Sequence, residues 1–370
     1  MSHHIDVILN NVAEPLEEFV ITLPELEKLV KSGEKIRSYC GYEPSGPIHI
    51  GYFPSIYKAK EIAEIGHVII LLADIHAYIN HKGPLELIQD LSVNYWIPVF
   101  KALGVNAKFI LGSEFQTSSA YIRDIYTLSR RVSTNRAVRA VTLILRKEKD
   151  IDVAAALYPI MQVLDIIHLE LNLAFGGTDQ RKIHALLREV LASGVVKELN
   201  VRIKPPVCIH LPMIVGLKAG EKMSSSKPDT HIAVHDFPQD IRAKMKRAYC
   251  PPKTVDPNIN PIFSILRYII MPYATEFVVI RPEKYGGDVK YSSFDEIARD
   301  YLDGRLHPLD IKNAVADWII EVIRPVHELF GEDPDVLRPV YKLQRWNYER
   351  GYISKTAWKK LEDTYTRWFR

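Results

Sequence analysis

Residues 39–52 read YCGYEPSGPIHIGY. Tyr39 to Tyr42 have the strand-like character of a short run entering a turn, and Pro44, Ser45 and Gly46 then reverse the chain tightly. A helical pattern follows in FPSIYKAKEIAEIG. Pro54 suits a first helical position, Ile56, Ala59 and Ala63 form an apolar stripe, and Gly66 suits the stop. The next run, HVIILLADIHAYI, carries the continuous apolar block VIILLA (68–73), the pattern of a strand buried on both faces of a parallel sheet. Strand, glycine-rich turn, helix and strand make a βαβ unit. Its first turn is where an open α/β sheet receives phosphate-bearing ligands.

The wider chain fits that unit into a multi-domain protein. Its 370 residues suggest two or three domains at roughly 150 residues each. With 47% hydrophobic and 25% charged residues it has the composition of a globular chain with more than one core. A formal charge of +3 permits an anionic partner without requiring one. Cys40, Cys208 and Cys250 are too scattered for a disulfide framework or a CxxC metal site. The start, MSHHIDVILNN, lacks the charged flank and apolar core of a secretion signal, and no apolar run approaches the ~18 residues of a membrane span. The expectation is a cytoplasmic protein without a membrane segment or a protein-held metal.

Around the central unit, residues 1–35 read as charged helices closed by Gly33, and helical pattern dominates 84–150 apart from a strand at KFILGSEF. The run AAALYPIMQVLDIIHLELNLAF (154–175) is apolar on nearly every side and is expected as one buried helix. PPVCIHLPMIVGL reads as a strand region, and KAGEKMSSSKPDT as an exposed loop. Beyond about residue 236 short amphipathic helices alternate with proline-rich turns. The expected organisation is a parallel-sheet catalytic domain over 1–235 with a helical insertion at about 100–160, a helical domain over 236–330, and a helical extension over 331–370.

Three constellations carry chemistry. In the first, Gly51 lets a ligand lie against the backbone while His49 donates to a phosphate; the alternative is an ordinary capped turn. In the second, Lys222, Met223, Ser224, Ser225 and Ser226 combine a cation, hydroxyls and mobile N–H groups able to wrap a triphosphate; most such runs are solvated loops. In the third, Tyr158, Gln162 and Asp165 stand at i, i+4 and i+7 on one face of an apolar helix, with Gln180 after a Gly-Gly turn positioned to join them. Such a face is either an internal hydrogen-bonded network or a pocket for a small polar ligand.

Read together, YCGYEPSGPIHIGY, LLADIHAYINHKG, GSEFQ, YPIMQVLDI, GGTDQRKIH, GEKMSSSK, IRAKMKRAYCP, RPEKYGGD and LHPLDIKNAVA resemble the tyrosyl-tRNA synthetases of the archaeal and eukaryotic type, over roughly residues 30–328. The resemblance implies a Rossmann-like α/β catalytic domain, a helical anticodon-binding domain, and activation of L-tyrosine by ATP, with Mg²⁺, followed by transfer to tRNA(Tyr). It implies that Tyr39 and Asp165 meet the substrate hydroxyl, and that Tyr158, Gln162 and Gln180 surround its amino group with Glu43 nearby. Leu71, His76, Phe115 and Gln116 fall where the ring pocket is lined. His49 and Gly51 match the HIGH signature and, with Gly41, Pro44, Ser45 and Gly46, the ATP-binding turn; residues 222–226 match the KMSKS loop. Arg139 and Arg181 match positions at the acceptor stem, although a solvated helix face explains Arg139 equally well. Tyr285, His307 and Asp310 match the readers of the anticodon. A homodimer through the helical insertion is a further implication.

Two positions depart from the signatures: Tyr52 replaces the second histidine of HIGH, and Ser225 the second lysine of KMSKS, which throws more of the charge onto Lys222, with Lys227 adjacent. The last forty residues carry nine Lys or Arg against six Asp or Glu, together with Trp346, Trp358 and Trp368. They read as a helical hairpin packing its aromatics on the preceding domain in preference to an RNA-binding surface. A tryptophanyl synthetase shares the architecture but has no use for a Tyr39 and Asp165 pair. A nucleotidylyltransferase would leave the anticodon motifs unexplained, and a silent RNA-binding relative would leave His49 and Lys222 unexplained.

Overall fold

The structure is a computed structural model describing residues 2–145, 151–199, 203–218, 220, 223 and 227–370. Packing divides the chain into two compact units, one comprising 1–45, 55–97 and 104–212, the other 46–54, 98–103 and 213–370. This division follows packing and is separate from the functional boundary expected near 236.

The first unit is built on a six-stranded sheet: β1 (Val20–Ile21), β2 (Ile36–Tyr42), β3 (Gly66–Leu72), β4 (Lys108–Leu111), β5 (Leu173–Gly177) and β6 (Val207–Leu211). The order is β1-β6-β5-β2-β3-β4, parallel throughout except for the antiparallel β1 edge. β2 has β3 on one flank and β5 on the other, so the winding reverses at β2. Ligands of open α/β sheets lie beyond the carboxyl ends of the strands at that reversal. The α/β class and the strand–turn–helix–strand unit expected from 39–79 are present, with the helix at Phe53–Ala63.

Gly66 is not the helix stop that the sequence suggested. It is the first residue of β3, paired with Ile36, and a Cβ there would come within 2.7 Å of the Ile36 Cβ and 2.8 Å of its carbonyl oxygen. The glycine serves strand approach. The apolar run 154–175 also divides: the helix spans Val153–His168, Glu170 turns the chain with φ of 51°, and Leu173 opens β5. Its all-round burial between neighbouring helices made the two elements look continuous. A core of Tyr39, Leu71, Tyr121, Tyr158 and Met161 joins that helix to the sheet.

In the second unit, the expected helices after 236 are present, among them Pro238–Arg247, Pro308–Val322, Arg338–Glu349 and Lys355–Trp368. An unforeseen two-stranded antiparallel sheet, β7 (Phe277–Val279) with β8 (Val289–Tyr291), brackets the RPEKYGGD turn. Strands this short lack the length for a period-two signal. The end of the expected exposed loop is ordered: Pro228–Thr230 form a 3₁₀ turn with Pro228 and Thr230 buried, and the Thr230 hydroxyl donates to the Lys227 carbonyl at 2.7 Å.

Candidate functional site

In the first unit the site starts from the period of β2. Tyr39, Gly41 and Glu43 share one side of the strand and its exit. Tyr39 is buried, and a Cβ on Gly41 would touch its ring at 3.3 Å, so the glycine leaves the phenol face clear. Burial and the nearby Asp165 push the Tyr39 phenol well above its ordinary value, which keeps it a neutral donor.

Asp165 lies opposite, on the 153–168 helix, and is fully buried. Its Oδ1 accepts from the Tyr121 hydroxyl at 2.6 Å and from Gln116 Nε2 at 2.8 Å. Its Oδ2 accepts nothing and stands 3.7 Å from His76 Nε2. Burial raises the carboxyl to about 7, against the lowering effect of those two hydrogen bonds. Burial also drops His76 to about 4, so its ring is neutral. Gln116 Nε2 approaches His76 Nδ1 at 3.4 Å, which leaves the ring hydrogen on Nε2. Three buried polar atoms therefore lack partners in one place: the acceptors Asp165 Oδ2 and Gln116 Oε1, and the donor His76 Nε2. Such a cluster is costly unless something completes it.

One turn along the helix, Gln162 donates to Gln180 Oε1 at 3.0 Å, and the Gln162 amide works against the rise in the Tyr39 phenol. Burial and the nearby Glu43 carboxylate push the Tyr158 phenol well above its ordinary value, and its ring meets His76 edge-on at 4.7 Å. Glu43 accepts from Asn80 at 2.9 Å and lies 3.7 Å from the Lys82 ammonium. Leu71 is buried in the same core, and Phe115 packs edge-on against Tyr121 at 5.5 Å. All ten residues assigned to the amino-acid pocket fall in the first unit: Tyr39 in the middle of β2, the others at or after the carboxyl ends of β2, β3, β4 and β5 or on the helix before β5.

Sequence reading missed two residues of this site. Tyr121, three residues into a helix capped by Ser118, supplies the shortest bond to Asp165. Asp74 is buried at the start of the 74–79 helix; its Oδ1 accepts from the Ile75 and Ser113 amides and its Oδ2 from Gln89, tying the segments that carry His76 and Gln116. An aspartate directly after an apolar strand was the available signal for Asp74. Tyr121 had none, being one aromatic on an ordinary amphipathic helix.

In the second unit, His49 caps a 3₁₀ turn, Ile50–Tyr52, its Nδ1 accepting from the Gly51 amide at 3.1 Å. Burial holds the imidazole well below its ordinary range, so it is neutral with the hydrogen on Nε2. A Cβ at Gly51 would lie 2.9 Å from the His49 ring and 3.3 Å from Met223 Sδ. Residues 48–50 pair with 232–234: the Ile50 amide donates to the Ile232 carbonyl, and the Val234 amide to the Ile48 carbonyl, each at 3.0 Å. Asp236 Oδ2 accepts from the Ala233 amide at 2.8 Å and from Lys244 at 2.6 Å, fixing that strand-like segment. Pro44 and Gly46 are buried and Ser45 is half-buried. Lys222, Ser224, Ser225 and Ser226 lie outside the described residues.

The expected RNA contacts are at the surface. Arg139 is exposed, its Nε donating within its own helix to the Asn135 carbonyl, and Arg181 Nε is held at 2.8 Å by the Glu18 carbonyl. Tyr285 is 62% exposed, at the tip of the turn between β7 and β8. Arg281 braces that turn, bonding the Gly287 carbonyl at 2.9 Å and the Arg305 carbonyl at 2.7 Å, two residues before His307. His307 caps the 308–322 helix, with Asp310 in its first turn.

The family model for class I tRNA synthetases (W and Y) matches residues 31–324. The chain belongs to that family. The tyrosine–tRNA ligase of Methanopyrus kandleri is 44% identical over 313 residues, 84% of this chain and 93% of the relative. Among solved structures, tyrosyl-tRNA synthetase of Archaeoglobus fulgidus complexed with L-tyrosine superposes with a TM-score of 0.80 at 44% identity, covering 88% of this chain and 98% of the other. The Aeropyrum pernix tyrosyl-tRNA synthetase gives 0.80 at 38% identity, covering 93% and 98%. The matched family span leaves the last helices of the chain outside it.

Proposed function

We infer that this chain is a tyrosine–tRNA ligase: it activates L-tyrosine with ATP, releases pyrophosphate, and transfers tyrosine to the 3′ end of tRNA(Tyr). The unsatisfied cluster around Asp165 carries the reading. An acceptor, Asp165 Oδ2, and a donor, His76 Nε2–H, are buried together without partners. A group that both donates and accepts completes them, and a phenolic hydroxyl does so. Tyr39 lines the same pocket, and Gln162, Tyr158 and Gln180 offer the acceptors that an ammonium needs. Phenylalanine would leave these groups unpaired, a penalty for which tyrosyl-tRNA synthetases are themselves the standard illustration.

The chemistry needs no protein nucleophile. A tyrosine carboxylate oxygen attacks the α-phosphorus, the bond to the bridging oxygen of pyrophosphate breaks, and a ribose hydroxyl of the terminal adenosine later displaces AMP from the acyl carbon. The chain's task is positioning and charge stabilisation. Gly41, Pro44, Ser45 and Gly46 shape the turn, His49 donates from Nε2, Gly51 keeps the backbone approachable, and Lys222 with its serines supplies charge and hydroxyls to the leaving phosphates. Mg²⁺ accompanies ATP and offsets charge on the pyrophosphate. Arg139 and Arg181 meet the acceptor stem; Tyr285 stacks an anticodon base, with His307 and Asp310 bonding its edge. The functional boundary lies near residue 236. A homodimer forms through the insertion, supported by the exposed Tyr126, Leu143 and Val153. The protein works in the cytoplasm; no helix among the described residues is long and apolar enough to cross a membrane.

ATP–pyrophosphate exchange with tyrosine, tryptophan and phenylalanine offered separately tests the reading. Exchange with tyrosine alone is expected. Equal exchange with tryptophan, or none with any, would refute it.

A further inference from the structure

The C-terminal helix Lys355–Trp368 packs on one short segment, 229–240. The Trp368 ring stacks on Phe237 with centroids 4.5 Å apart, and its indole N–H donates to the His235 carbonyl at 2.8 Å. The Arg367 guanidinium lies 3.9 Å over the Phe237 ring and pairs with Asp240 at 2.7 Å. Tyr365 packs on the buried His235 ring at 5.0 Å. Lys360 pairs with Asp229 at 3.1 Å. The same segment contains 232–234, the partner of residues 48–50 in the His49 turn.

We propose that the C-terminal helix Lys355–Trp368 is a positioning element for the ATP-binding turn, acting through His235 and Phe237 on the 232–234 strand that holds His49. The inference rests on the ATP role given above to His49. The extension touches no reacting group in this scheme. It fixes the backbone from which Ile232 and Val234 set the His49 turn, and so controls how well Nε2 is aimed. A 1 Å error in a positioning segment is enough to slow a reaction that depends on alignment. Three contacts of different chemistry converge on one segment: a ring stack, a hydrogen bond to backbone and an ion pair. That convergence separates a brace from incidental surface packing, and RNA binding by these aromatics becomes unnecessary, since Trp358, Tyr365 and Trp368 are spent on protein contacts.

The test is steady-state ATP–pyrophosphate exchange on the full chain with Trp368→Ala, Trp368→Phe and Arg367→Glu, the last alone and combined with Asp240→Arg. Trp368→Ala is expected to lower kcat/KM for ATP by about three- to tenfold, the range that an aromatic pair and a partly buried hydrogen bond carry. KM for tyrosine should stay within about twofold, because a defect confined to one substrate separates positioning from general loss. Trp368→Phe, which keeps the ring and loses the N–H, should fall between. The double exchange should recover what Arg367→Glu loses, and this pair decides the matter if Trp368→Ala fails to fold. Unchanged ATP kinetics in Trp368→Ala and Arg367→Glu, or a rise in KM for tyrosine as large as the loss in kcat/KM for ATP, would overturn the proposal. His49→Ala is run alongside: if it leaves exchange intact, the ATP-site reading has failed, whatever the extension variants show.

Discussion

Tyr121→Phe isolates one hydroxyl. It removes the 2.6 Å bond to Asp165 Oδ1 together with the 2.8 Å contact that the same hydroxyl makes with the Met161 carbonyl, leaves Gln116 in place, and keeps a ring that packs edge-on against Phe115. A hydrogen bond to a charged group contributes about 1.5–3 kcal/mol, and one pKa unit corresponds to about 1.4 kcal/mol. Losing the donor should therefore raise the Asp165 carboxyl by about one to two units above its starting value of about 7. The ionised carboxylate is the better acceptor for a substrate hydroxyl, so kcat/KM for tyrosine should rise with pH through about 7 in the parent protein. In Tyr121→Phe the same rise should appear at higher pH, with a loss of about tenfold at pH 7 that shrinks above pH 9. The stability sign is separate. Because Asp165 binds its proton more tightly folded than unfolded, its effect on stability is favourable below the unfolded value near 4 and is lost as pH rises through about 7. The assay is tyrosine-dependent pyrophosphate exchange from pH 6 to 10, with thermal melts at each pH. A midpoint that stays fixed or moves down would refute the argument, because it would mean that Tyr121 does not favour the charged form of Asp165.

Other expectations follow from the proposed roles. Asp165→Ala should erode the preference for tyrosine over phenylalanine; an unchanged ratio of kcat/KM values in exchange would contradict its role at the hydroxyl. Lys222→Ala should slow adenylate formation far more than it weakens tyrosine binding, as read by single-turnover kinetics against equilibrium titration. Tyr285→Ala should cost about 1–3 kcal/mol in tRNA aminoacylation, the worth of one stacked base, while exchange without tRNA stays unchanged. Gly66→Ala should destabilise the first unit by about 1–3 kcal/mol in urea unfolding, since the new methyl meets the Ile36 backbone, which cannot yield as a side-chain tip can.

Much of the candidate site was legible because its parts are local and chemically unusual for their setting. Tyr158, Gln162 and Asp165 stand out as polar residues at helical spacing in an apolar helix, and the 39–52 turn announces itself by its glycines and prolines. What escaped is what depends on pairing across the chain. Gly66 reads as a helix stop until Ile36 is seen beside it. Tyr121 is unremarkable on its own helix and acquires meaning only from a carboxylate 44 positions away. β7 and β8 are too short to show a period. The signature glycine at 51 also has a reason that a motif does not disclose: a side chain there would collide with the very histidine that caps the turn.

The pairing of 48–50 with 232–234 has a consequence for how the molecule is made. The ribosome releases the His49 segment early and its partner strand only after β6 has emerged. A nascent chain can therefore close the proposed tyrosine pocket of its first unit while the proposed nucleotide turn is still open. Sequence-distant contacts of this kind form slowly, so competence to use ATP should be among the last properties that the growing polypeptide acquires.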